Sequence, residues 1–224
     1  MHVEPPGHSP QSFKEFATHY LMIVVGILTA VAIEQGIEAL HHRELAEQAT
    51  RQIEEELRSN LHEDDVALED NRKRIAALKQ TEEAVTADYE KKDVSPETFR
   101  ARVTTLTLGT AMPTLRRDAW DAAIASQALS YVDAAVVRRF SEGYSAQHDA
   151  SQSMVSTTTS NNWMSQIMAS SVDSRLGHVD QPALLKALAT FEVTLQATAE
   201  NERELHEALK AAIEPERKPA ATGG

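Results

Sequence analysis

With 224 residues the chain is long enough for one good-sized domain plus an anchor; it is 42% hydrophobic but only 5% aromatic, the palette of helical bundles rather than of sandwiches or barrels. A formal charge of −12 repels phosphate backbones and argues against nucleic acid as a partner. The lack of any cysteine excludes disulfides, thiolate zinc sites and cysteine nucleophiles.

Residues 1–15 read as a polar N-terminal tail, with Lys14 beside Glu15. Residues 16–33 carry no Asp, Glu, Lys or Arg and predict a transmembrane helix. At 1.5 Å per residue they span about 27 Å, slightly under a hydrocarbon core of about 30 Å. His19 and Tyr20 suit one interface, and Glu34 with Glu38 emerges at the other. The expected partner of 16–33 is therefore the lipid bilayer, in a bacterial inner membrane. Flanking cations are nearly balanced, Lys14 against Arg43 and Arg51. A short tail before an internal start signal commonly leads to export of the downstream chain, which points the soluble domain to the periplasm. Two other readings compete: a secretory signal cleaved near Ala30-Val31-Ala32, and a buried core helix. Gly26 and Ala30, four apart, offer a small-residue face for helix pairing.

The run Tyr20-Leu21-Met22-Ile23-Val24-Val25-Gly26-Ile27-Leu28-Thr29-Ala30 leads into Ile33-Glu34-Gln35 and then a charged helix with Glu56-Leu57 and Asn60. It resembles a family of uncharacterised bacterial single-pass membrane proteins, in which an anchor with a V-x-G-I-L-x-A core precedes a helical domain of unknown function. The likeness covers about the first quarter of the chain. It implies the anchored topology and no activity. Where family members often carry a Trp just past the anchor, this chain has Gly36-Ile37.

Residues 34–213 read as an all-α domain: the anchor continues into a long amphipathic helix packed in an antiparallel helical bundle. Ile37, Leu40, Ile53, Leu57, Leu61, Leu68, Ile75, Leu78 and Val85 form one apolar stripe. Asp64 and Asn71 fall on that stripe and are expected to face solvent or water between helices. Asp93 to Pro96 reads as a loop, with Ser95 capping a short helix that runs to about Leu108, before Gly109. The stretch Val103 to Leu108 is the one ambiguous strand-like run. Thr114 is expected to cap a further short helix carrying Trp120 as a core anchor. A second long helix is predicted from Asp133 to Ser170, weakest across its Ser, Thr and Asn between 151 and 162. Asp180 and Pro182 open a final helix with Leu184, Leu188, Phe191, Leu195, Thr198, Leu205, Leu209 and Ala212 on its seam. Glu202 falls on the same seam, against a polar pocket or the bundle end. Residues 214–224 read as a disordered tail. Up-and-down connections are expected throughout.

No catalytic, cofactor or metal residues are assigned. Glu38-x-x-His41 has the spacing of a carboxylate-bridged di-metal site but lacks a second copy. His41-His42-Arg43 and His62-Glu63-Asp64-Asp65 diverge around a helix and read as exposed charge. Arg116-Arg117 and Arg138-Arg139 read as partners of neighbours such as Asp118 and Glu142. No nucleophile elbow, P-loop, G-x-G-x-x-G or H-E-x-x-H occurs. The expected function is a protein-interaction, scaffold or sensory module that engages a partner protein or a homodimer partner through its bundle. A metal-handling or enzymatic bundle is the alternative.

Overall fold

The computed structural model describes residues 13–92, 95–160 and 162–214. The polar tail before Phe13, the loop position Asp93 and the tail from Pro215 lie outside the described residues. Among the described residues six helices carry the fold: α1 Phe13–Glu90, α2 Pro96–Thr104, α3 Asp118–Ala125, α4 Ala134–Ser160, α5 Trp163–Arg175 and α6 Gln181–Ile213. A 3-10 turn, Ala128–Tyr131, precedes α4. Among the described residues there is no strand, as the composition leads one to expect.

α1 is one unbroken helix of 78 residues that carries the apolar run directly into the amphipathic stripe. Ile53, Leu57, Leu68, Leu78 and Val85 are buried as expected, whereas Ile37 and Leu40 are exposed. Apart from the His42 ring on Tyr131, packing begins with Leu45 and Ala49, and the stripe is covered from there onward. α6 lies against both α1 and α4. It is antiparallel to each, since Lys79 meets Glu192 while Asn71 meets Glu202, and Ser153 meets Asn201 while Arg139 meets Ala212.

The expected up-and-down connections are corrected by the pairing of α1 with α4. Glu56 meets Tyr144 and Asn60 meets Gln147, so these two helices run parallel. The chain comes back along α1 as extended backbone. Arg74 binds the Gly109 carbonyl, Asn71 binds Ala111, Asn60 binds Arg116 and Glu56 binds Ala119, in steadily descending order along α1.

This connector accounts for two further corrections. Ser95 caps α2 through the Thr98 N–H, as expected, but the helix stops at Thr104 rather than Leu108. The Thr104 and Thr105 hydroxyls bond carbonyls of the preceding turn, and the β-branched run Val103-Thr104-Thr105 itself disfavours further helix. Thr114 does not cap α3. That helix begins at Asp118 because Asn60 holds Arg116 by both its N–H and its C=O. Likewise the single helix expected over 133–170 is two, α4 ending at Ser160 and α5 starting at Trp163. α5 then closes with a Schellman motif, in which the Gly177 N–H binds Ser174 and the His178 N–H binds Asp173. Gly177, at φ +86°, supplies the left-handed residue that this ending requires. α6 matches its expected form closely: the Asp180 side chain caps the Ala183 N–H at 2.9 Å, and the expected seam residues are buried.

Two apolar cores result. One, nearer the N-terminal extension, gathers Ile53, Leu57, Trp120, Phe140, Met154, Leu205 and Leu209. The other, at the far end, gathers Leu78, Phe99, Trp163, Ile167, Leu184, Leu188, Phe191 and Leu195. Within the first, α4 and α6 approach so closely that a Cβ on Gly143 would lie 2.8 Å from that of Ala212.

Candidate functional site

Across and between the two cores α1 turns a line of polar side chains inward. Glu56, Asn60, Asp64 and Asn71 are spaced by four, four and seven residues, which keeps them on one helical face. The Asn60 side chain accepts the Arg116 N–H at 2.9 Å and donates to the Arg116 carbonyl at 2.7 Å and to Gln147 at 2.9 Å. Asn71 treats Ala111 the same way, at 2.8 and 2.9 Å. The two clamps are matched in length. Eleven helical steps rise about 16.5 Å, and the five steps from Ala111 to Arg116 span about the same when extended. Each asparagine thus stands in for a neighbouring strand, satisfying backbone that would otherwise be left unpaired. Glu56 adds a third tie. It accepts the Ala119 N–H at 2.9 Å, capping α3 from a distance, and the Tyr144 hydroxyl. Burial and then the Glu56 carboxylate push the Tyr144 phenol far up, so it stays a neutral donor.

Beside these clamps lies a charged cluster. Asp64 is fully buried, and among the described residues neither of its carboxyl oxygens has a hydrogen-bond partner. His206 Nδ1 lies 3.9 Å from Asp64 and 3.0 Å from Asp65. Glu202 is also fully buried and accepts the Asn71 amide at 2.8 and 3.0 Å. Burial pushes the Asp64 carboxyl up to about 7, with the Glu202 and Asp65 charges adding to it. Burial likewise raises Glu202 to about 7, against the Asn71 hydrogen bond that favours its ionised form. Farther along the same α1–α6 seam, burial and then Glu192 raise Glu82 to about 6. The cluster can therefore take up protons near neutral pH. Among the described residues no group of three or more His, Asp or Glu is arranged to hold a metal ion.

No family model, curated protein or solved structure matches this chain.

The other residues singled out from sequence are scattered. Glu38 lies 3.8 Å from His42 rather than beside His41, and His42 stacks on Tyr131 with ring centroids 3.8 Å apart. His62, Glu63 and Asp65 are exposed as expected, but Asp64 is not. Arg117 pairs with Asp121 at 3.0 Å, not with Asp118, and Arg138 sits 3.8 Å from Glu142. Arg139 donates to the Ala212 carbonyl and so satisfies the C-terminal turn of α6. Trp120 is a buried core anchor packed against Tyr144 at 5.2 Å.

A second candidate surface is the N-terminal third of α1. None of the side chains from 16 to 41 is buried, and Leu21, Ile23, Ile27, Leu28 and Ile33 are all largely exposed. Among the described residues α1 is the one helix long and apolar enough to cross a membrane. Among the described residues nothing lies within 4 Å of a Cβ placed on Gly26, so the small-residue face with Ala30 is open.

Proposed function

We propose that the chain is a single-span membrane protein in which residues 16–33 occupy the bilayer of a bacterial inner membrane and the helical bundle, on the periplasmic side, serves as an interaction or sensory module. The observation that carries this reading is the uncovered apolar stretch of α1, which runs without a break into the segment that supplies both cores. So many exposed apolar side chains on one isolated helix are unfavourable in water and suited to lipid. From Ile33 to His42, which stacks on Tyr131, the helix rises about 13.5 Å, which sets the bundle clear of the head groups. The −12 charge keeps the bundle from settling onto anionic lipid. Glu56, Asn60 and Asn71 in its polar centre hold connector backbone, a structural role, and this favours an interaction module over an enzyme.

The test is membrane fractionation of the full chain followed by alkaline carbonate extraction, with reporters active on only one side of the membrane fused to its C-terminus. Retention in the carbonate-resistant pellet with an active external reporter is expected. Full-length, uncleaved protein in the soluble fraction without detergent would remove the anchor. An active cytoplasmic reporter would reverse the orientation.

A further inference from the structure

α5 has two apolar faces. Trp163, Ile167, Ser170 and Ser174 are buried against the rest of the bundle. Met164, Met168, Val172 and Leu176, spaced four apart on another side, are 40%, 57%, 53% and 71% exposed. A helix that is apolar on both sides belongs in an interior, and here one side has no cover among the described residues.

Charge singles out the same place. Residues 150–172 contain no Asp, Glu, Lys or Arg, the longest such stretch outside the N-terminal apolar segment, in a chain that is 25% charged. α5 itself carries one Asp and one Arg, Asp173 and Arg175, whose charges cancel. Two copies of a −12 chain repel each other over most approaches. This face brings no like charges into contact.

We infer that the exposed ladder Met164, Met168, Val172 and Leu176 is the contact through which two copies of this chain pair. The inference rests on the anchored reading above, because a shared bilayer gives both copies one orientation and holds their α5 helices at one height. An axis along the membrane normal then brings like face to like face, as a two-fold contact requires. Side chains four apart form one ridge, and two such ridges interdigitate with Met168 near the axis. Methionine adapts its shape to such a contact. Confinement in the membrane raises the effective concentration, so a contact of only one helix face suffices.

The chain has no native cysteine, which makes single-cysteine variants unambiguous. Met168→Cys and, as a control on the exposed side of α1, Glu83→Cys are produced as full chains in cell membranes and oxidised. A disulfide-linked species of twice 24.7 kDa is expected for Met168→Cys, at ten-fold or more the yield for Glu83→Cys. Adding Met164→Asp and Val172→Asp to Met168→Cys should abolish it while helix content and thermal midpoint are retained. Equal yields for the two cysteines, persistence with both aspartates present, or an adduct of another mass would each overturn the contact. Fractionation of the same samples separates the two readings: cross-linked dimer in the soluble fraction removes the anchor alone, and monomer in the membrane pellet removes the contact alone.

Discussion

Asn60 illustrates how much one side chain can hold in this chain. It serves both backbone groups of a residue 56 positions away and a side chain of α4. Asn60→Ala leaves the Arg116 N–H and Gln147 short of a partner in a buried place, a loss of about 2–3 kcal/mol. Asn60→Asp keeps the acceptor but sets a carboxylate against the Arg116 carbonyl, and should be at least as damaging. Denaturant midpoints at unchanged m-value measure both. Asp64 and Glu202 predict a pH dependence whose sign is fixed. Both carboxyls titrate near 7 in the folded chain, above their ordinary 3.8 and 4.5. The folded state therefore binds protons more readily, so this contribution is complete below about pH 4 and is lost as pH rises through about 7. The bundle should be more stable at pH 5 than at pH 8. Asp64→Asn should flatten that slope and raise stability at pH 8 by about 2–4 kcal/mol. A wild-type midpoint that climbs from pH 5 to pH 8 would contradict it.

At the scale of elements, α6 was readable in full, because its cap, its Pro182 and its seam all agree and little from elsewhere redirects it. α1 was readable as one helix from its unbroken apolar run and the stripe that continues it. The connector was not. Residues 105–117 carry helix-compatible signals, yet their backbone partners are asparagine side chains remote in sequence, and no local pattern announces that. The clue was present in the wrong category: Asp64 and Asn71, seven apart on an apolar stripe, point inward with the stripe, and polarity alone does not turn them to solvent. Glu202 on the seam of α6 is the complementary signal, and it does face a polar pocket. The α4–α5 break lay in the Ser, Thr and Asn run where helix propensity is weakest, though its position was not legible. Close helix approach yields one more expectation. Gly143→Ala, which on an open helix surface would stabilise, should here cost about 1–3 kcal/mol, since its methyl meets the Cβ of Ala212 at 2.8 Å. A raised thermal midpoint for this variant would mean that α4 and α6 can separate without loss.

Across the whole molecule, the two cores share α1 and α6, and the polar line between them pairs helix with helix and connector. That arrangement fixes the register of both helices, since sliding α6 by one turn would part Glu202 from Asn71. Beyond Gly36, α1 contains neither glycine nor proline as far as Glu90, so the helix offers no joint along about 80 Å. It behaves as an unjointed shaft. A quarter-turn or a slight plunge imposed on its uncovered apolar end would be passed along the shaft to Val85 in the far core.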